Sequence, residues 1–284
     1  MKKYLQLAAQ ILRYGTLRGR GQNFQKNRAQ VLESLSPYVP PNKLALTESR
    51  ESNSPNNLVA QLAFIRSAFR KRGGHLTASE IAYIRIPKSA NTSISYAMLV
   101  KKYPALKTQR VNDTQINFLA DVNLNPVNED TEQFFTVVRD PFARLVSVYR
   151  DFFENRQSDF LYADYLFGIL KPDMSFATFV SRVSEIPDRL KDQHFRPQHC
   201  FIDAYETTGK SVTIFKLEEP VALEQFLQTH EMVLPHLNKS TASYSYADYY
   251  TPAVLDRAYS MYKTDIMRYG YQANYEKLKA SLKS

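Results

Sequence analysis

Short apolar runs along this chain are each followed by a polar loop and then by an apolar stripe at helical spacing. Ile81-Ala82-Tyr83-Ile84-Arg85-Ile86 has the alternation of a strand, and Pro87-Lys88-Ser89-Ala90-Asn91-Thr92-Ser93 opens into a helix carrying Ile94, Ala97, Met98 and Lys101. Phe134-Phe135-Thr136-Val137-Val138, aromatic and β-branched, predicts a buried strand. After Arg139, Asp140 is placed to cap a helix and Pro141 falls where that helix begins and a missing N–H is no loss. Phe142, Leu145, Val146 and Tyr149 then repeat at helical spacing and are predicted to face the core. A third strand around Val212 to Phe215 precedes a helix from Pro220, and Thr251-Pro252 starts a long final helix. Between these lie further pieces. Ser54-Pro55 opens a helix with Leu58, Leu62, Ile65 and Phe69 on one face, stopped by Gly73-Gly74, after which His75 reads as a surface residue. Residues 104–132 read as polar loops with one short helix, and a helix near Phe176 to Val183 sits within an aromatic stretch, residues 155–198. Strands alternating with helices predict an α/β protein: a three-layer, P-loop-like fold with a central parallel sheet flanked by helices.

Length and charge divide this plan. With 284 residues, of which 44% are hydrophobic, the chain can bury one sizeable core, predicted as a catalytic domain over residues 58–284. Residues 1–57 read as a basic N-terminal segment and a linker, the linker rich in Ser, Pro and Asn from residue 34 onward. Lys2, Lys3, Arg13, Arg18, Arg20, Lys26 and Arg28 all precede the first acidic residue, Glu33, and supply seven of the nine excess positive charges. The asymmetry moves the meaning of the net charge from the whole protein to its first 28 residues. Leu5, Ala8 or Ala9, and Leu12 give that segment an apolar face, which either packs on the domain or lies on an anionic membrane. No apolar run approaches the roughly 20 residues of a membrane span, and Gln and Arg break the first fifteen residues too often for a secretory signal. Cys200 is the single cysteine, so a reducing compartment is the simplest home. The expectation is a cytoplasmic protein with no nucleic-acid partner, in which residues 1–28 pack on the domain, the alternatives being peripheral contact with an anionic membrane or with an acidic partner.

The loop at Pro87–Ser93 carries the first chemistry. A strand, a loop of small residues and a helix N-terminus direct backbone N–H groups and the positive end of the helix dipole at one place, which favours an anion. Lys88 adds a full charge, and Ser89, Thr92 and Ser93 add hydroxyl donors. A nucleoside-triphosphate loop of the GxxxxGK[ST] kind has glycines and ends on its Lys. This loop has no glycine and begins with its Lys. Such a pattern fits a reactive group that carries less charge than a γ-phosphate and needs no metal. Arg139 at the end of the second strand and Ser147 two turns into its helix reach the same carboxyl edge of the sheet, where open α/β sheets bind ligands.

Taken together these runs resemble the sulfotransferases that use 3′-phosphoadenosine 5′-phosphosulfate (PAPS), and within them the carbohydrate, Golgi-type family 2 group. The run Asp192-Gln193-His194-Phe195-Arg196-Pro197-Gln198 is similar to the D-x-H-[WF]-x-P-Q run of that group, and Val212 to Glu219 is similar to its later strand. Leu237-Asn238-Lys239-Ser240, and Asp265-Ile266 through Gly270-Tyr271, extend the likeness, which spans residues from about 80 to 271. The resemblance implies that Pro87, Lys88, Ser89, Ala90, Asn91, Thr92 and Ser93 hold the 5′-phosphosulfate. It implies that Arg139 and Ser147, in an RDPxxRLxSxY run, hold the 3′-phosphate, with Lys239 a further candidate for that pocket. It also implies that the acceptor is a hydroxyl, on a glycan, and that no metal takes part.

In-line sulfuryl transfer requires a protein mostly to position groups and stabilise charge, as phosphoryl transfer does. Lys88 can neutralise charge growing on the leaving nucleotide. A base must take the acceptor's proton, and of His75, His194, His199, His230 and His236, His194 lies in the family-like run, with Asp192 or Gln198 to orient ring or acceptor. Two other readings remain open at this point: a P-loop kinase or NTPase working with ATP and Mg²⁺, and a non-catalytic protein binding polyanions or acidic lipid through the basic N-terminus.

Overall fold

The computed structural model describes residues 35–39, 74–127, 133–154, 169–171, 174–188, 191–235 and 244–282. The basic segment 1–28, the helix expected from Leu58 to Phe69, and Lys239 lie outside the described residues. Four strands form one sheet in the order β1-β2-β3-β4: β1 His75–Ala78, β2 Ile81–Ile84, β3 Gln133–Val138 and β4 Val212–Lys216. β2, β3 and β4 run parallel, with Tyr83 opposite Phe135 and Val138 opposite Lys216. The sheet is mixed rather than purely parallel, because β1 turns back on β2 as an antiparallel hairpin through Ser79 and Glu80. Ser79 takes a left-handed φ of 53° in that two-residue turn. The hairpin escaped the sequence reading because His75-Leu76-Thr77-Ala78 is short and begins just after two glycines.

Side chains alternate across the sheet, as the two-residue period of a strand requires. Ala82, Ile84, Phe134 and Val138 point to one face, where they pack with Phe142, Phe179, Leu255 and Tyr262. Ile81, Tyr83, Phe135 and Val137 point to the other, against Ile94, Met98, Leu119 and Leu227. The first face is covered by α3 Pro141–Tyr149, α4 Phe176–Glu185, α5 His199–Glu206, α7 Pro252–Arg268 and α8 Gln272–Ser281. The second is covered by α1 Asn91–Lys102, α2 Asp113–Val122 and α6 Pro220–Thr229. This is the expected three-layer α/β arrangement. Leu35 and Val39, within the stretch read as linker, are buried in the second core.

Local signals set the element boundaries. Asn112 and Gln115 form a reciprocal capping box at the start of α2. Asp140 caps α3 by accepting from the N–H of Phe142 at 2.8 Å, as its place before Pro141 predicts. Phe142, Leu145 and Val146 are buried as expected, and half-buried Tyr149 donates its hydroxyl to the Met174 carbonyl. The long final helix is two. α7 is kinked at Tyr262, and Gly270, at a φ of 71°, makes the left-handed turn into α8.

One feature of this topology positions a site. The chain leaves β2 toward α1 on one face and leaves β3 toward α3 on the other. Adjacent parallel strands whose connections diverge in this way open a crevice at their carboxyl ends. The β2–β3 register stops at Tyr83 and Phe135, and beyond it the Thr136 hydroxyl donates to the Ile84 carbonyl at 2.8 Å. β3 continues alongside β4, so the crevice starts where β2 parts from its neighbour.

His75 is not a surface residue. It is fully buried in β1, edge-on to Phe134 at 5.1 Å, with Nδ1 3.2 Å from the Tyr205 hydroxyl. Burial, with the Lys210 charge behind it, lowers its pKa from 6.5 to about 4. An unfolded chain takes up this proton near pH 6.5, whereas the native protein resists it until about 4. Stability held by neutral His75 is therefore complete above pH 6.5 and is lost as pH falls toward 4, by on the order of 3 kcal/mol. Urea unfolding across that window is expected to show a shallower acid loss in His75→Phe than in the wild type. Equal slopes would remove His75 as the titrating group.

Candidate active site at the carboxyl edge of the sheet

The residues leaving β2 build a cradle without glycine. Ile86, Pro87 and Ser89 are buried, and Lys88 and Ala90 both take left-handed φ values, 67° and 54°. For non-glycine residues that conformation costs on the order of 1–3 kcal/mol each and persists only where surrounding contacts over-determine it. Those contacts are present. Arg85 spans the base of the loop, donating Nε to Asn91 Oδ1 at 3.1 Å, Nη2 to Asn117 Oδ1 at 3.0 Å and Nη1 to Asp121 at 2.6 Å. Asn117 donates to Thr92 Oγ1 at 3.2 Å and accepts from Asn91 Nδ2 at 3.1 Å. The Asn91 and Thr92 side chains thus tie the start of α1 to α2. Ala90, the N-cap of α1, has no side chain to close the helix's first N–H groups, which leaves the helix end suited to an anion.

α3 and its continuation present two polar residues to this loop from one face, Arg144 and Asp151, seven residues apart. Arg144 is 1% exposed, and its guanidinium donates to the Pro87 carbonyl at 2.9 Å, to Arg196 O at 2.9 Å and to Gln193 O at 3.1 Å. Burial lowers its pKa, and the nearby Tyr262 and Asp265 work the other way. Asp151 lies in a π-helical turn, Arg150–Glu154, that continues α3, and holds Lys88 Nζ at 3.0 Å. Ser147, half-buried, sits between those two positions on the same face. Arg139, at the end of β3, donates Nη1 to the Lys88 carbonyl at 3.1 Å. The two sequence-predicted cations therefore belong to one cluster.

The segment 191–199 closes the site from the side of α5. Asp192 Oδ1 accepts from both the backbone N–H and Nδ1 of His194, at 2.8 and 2.7 Å. The contact to the carboxylate occupies Nδ1 and leaves Nε2 as the ring nitrogen without a bond to Asp192. The ring stands edge-on to Phe152 at 5.0 Å, and the Arg144 guanidinium, which binds Pro87 O on one side and Gln193 O and Arg196 O on the other, ties the segment that carries His194 to the Lys88 loop. Asp192 is the residue that orients His194. Gln198 takes no part in this, because its side chain contacts Ser89 and Arg139 instead.

α7 fixes this segment from behind. The Tyr262 hydroxyl donates to Phe195 O at 2.8 Å, and the fully buried Asp265 carboxylate accepts from the N–H groups of Gln198 and His199 at 2.6 and 2.9 Å. Asp265 also meets His199 Nδ1 at 2.7 Å. Burial opposes a charge on His199, but the bond to Asp265, helped by Cys200, outweighs it and raises its pKa to about 10. His199 is therefore a poor proton acceptor near neutrality. His230 lies away from this cluster, paired with Glu80 at 2.7 Å.

Four residues that sequence reasoning left without a place in the site belong to it: Arg144, Asp151, Gln198 in its observed role, and Asp265. Arg144 alone gave a usable signal, as a charge set among the core-facing Phe142, Leu145 and Val146. Among the described residues, no group of three or more His, Cys, Asp or Glu side chains is placed to hold a metal ion.

No curated protein and no solved structure matches the chain. A family model, described as the sulfotransferase family, matches residues 77–272. That span runs from the β1–β2 hairpin to the start of α8 and includes the Lys88 loop, the Arg139–Ser147 run and the His194 segment. The cradle, the second cation and the oriented imidazole, in that order along the chain, lie within a match of more than half its length: the protein belongs to the sulfotransferase family.

Proposed function

We propose that this sulfotransferase takes PAPS as its donor and moves the sulfuryl group to a carbohydrate hydroxyl. The observation that carries the donor reading is the contact between the Arg139 guanidinium and the Lys88 carbonyl, which joins two cations at the ends of adjacent strands. That contact uses one of the five guanidinium donors. PAPS carries an anion at each end of its ribose, and a pair of linked cations suits it better than a single triphosphate loop does. The carbohydrate acceptor rests on the resemblance of the His194 run to carbohydrate sulfotransferases.

When bound, PAPS supplies an activated sulfuryl group. Backbone N–H groups of the loop from Pro87 to Ser93 and the Thr92 and Ser93 hydroxyls hold the 5′ end, and Arg139 with Ser147 holds the 3′-phosphate. Lys88 Nζ exchanges Asp151 for the donor and neutralises charge on the leaving oxygen. His194 Nε2 takes the acceptor hydroxyl's proton, and Asp192 stabilises the imidazolium that results.

Thermal shifts with PAP (the desulfated product), with ATP–Mg²⁺ and with a short oligonucleotide separate this reading from a kinase and from a polyanion binder. Stabilisation by PAP alone is expected. A hydrogen bond to a charged group contributes about 1.5–3 kcal/mol, so calorimetry on Arg139→Ala should show PAP affinity reduced roughly ten- to a hundredfold. His194→Ala is expected to lower turnover by about 10²–10⁴-fold while PAP affinity stays near the wild-type value; retained turnover would move the base elsewhere. The Lys88–Asp151 pair is partly exposed, and such pairs are worth about 0–1 kcal/mol. Asp151→Asn should accordingly tighten PAP binding, by about fivefold at most, in the same calorimeter.

A further inference from the structure

The side chain of Gln198 is 0% exposed, and both its oxygen and its nitrogen are engaged. Its Oε1 accepts from the Arg139 N–H at 2.9 Å, and its Nε2 donates to the Arg139 carbonyl at 2.8 Å. The carboxamide thus pairs with the backbone of Arg139 at two points, as a neighbouring strand would. The same Oε1 accepts from Ser89 Oγ at 3.3 Å. Arg139 in turn reaches back to the Lys88 carbonyl at 3.1 Å. Ser89, Gln198, Arg139 and Lys88 therefore form a closed ring of contacts, and Asp265 anchors it through the Gln198 N–H at 2.6 Å.

We propose that Gln198 is a positioning residue that sets the distance between the two halves of the donor site, so that selectivity for a 3′-phosphorylated nucleotide depends on it. The inference rests on the PAPS reading above and deepens it. Arg139 stands at the end of β3, where its backbone has left the sheet ladder. Gln198 supplies both missing bonds and fixes the direction in which the guanidinium leaves the chain. The bond to Ser89 holds the Lys88 loop against the same carboxamide. A nucleotide with anions at both ends meets a pre-set spacing, whereas one lacking the 3′-phosphate uses only the loop. Loss of Gln198 should therefore weaken PAP far more than adenosine 5′-monophosphate.

The ratio of PAP to adenosine 5′-monophosphate affinity, by calorimetry on the full chain, tests this. Gln198→Ala removes the ring's centre. Gln198→Glu keeps the acceptors for Arg139 N–H and Ser89 and sets an oxygen against the Arg139 carbonyl. The ratio is expected to fall at least tenfold in both. Tyr262→Phe, which removes a buried hydrogen bond from the same segment without touching either donor loop, should leave it unchanged. An unchanged ratio in folded Gln198 variants, or an equal fall in Tyr262→Phe, overturns the inference while the PAPS reading stands. If neither Gln198 variant folds, Ser89→Ala decides, because its direct effect on the 5′ end cancels in the ratio: a severalfold fall supports the ring, and no change overturns it. A wild-type protein that does not prefer PAP removes both the reading and the inference.

Discussion

A buried guanidinium holds the site together. Arg144 leaves α3 on the side that faces the crevice and ends among three backbone carbonyls, one from the Lys88 loop and two from the His194 segment. A charge so far from water is tolerated only where its donors are met. Carbonyls from two otherwise separate loops meet them here, so the requirement of one side chain fixes the relation of both loops to the helix. Arginine suits this because its planar fork presents several donors in fixed directions, which a lysine ammonium cannot do. The position of Pro87 determines where Lys88 stands, and the positions of Gln193 and Arg196 bracket His194. The cation and the base of the proposed reaction are located by a residue that performs neither role.

The rest of the molecule supplies the frame for that contact. β2 and β3 lie side by side with their helices on opposite faces, and β2 ends early. The strained left-handed residues Lys88 and Ala90 sit just beyond this parting of the strands, between the end of β2 and the start of α1. Arg85 holds the loop from one side through α2, and Arg144 holds it from the other through α3. α7 does the same for the third segment with a hydroxyl and a carboxylate, which bind Phe195 and Gln198.

Much of this was legible in the residues. Apolar runs followed by Pro87–Ser93 and by Arg139–Ser147 gave the strands, the loops and the layer order, because local patterning and capping chemistry act within a few residues of themselves. Asp140 caps α3 where its neighbour Pro141 said it would. What escaped depends on long-range partners. His75 looks like a polar residue after two glycines, and only the closing of β1 onto β2, with Phe134 and Tyr205 arriving from distant parts of the chain, buries it. Gln198 is one position in a family-like run, and nothing in the run says that it meets Ser89, 109 residues earlier, rather than His194. The split of the final helix turns on Gly270, which a helical stripe alone would pass over.

The turn Arg150–Glu154 is wider than the helix it extends. π-helical turns are uncommon and collect at functional positions. Here the change of pitch falls just where Asp151 meets Lys88 and Phe152 meets the His194 ring. Asp151 follows Arg144 by seven residues, about two ordinary turns, so the helix brings both to the same side before the wider turn changes the direction of the side chains that follow. The length of chain between Arg144 and Asp151 is therefore a fixed gauge: gaining or losing one residue there would turn Asp151 away by about 100° and exchange the counter-ion of the cradle without altering any residue of the cradle itself.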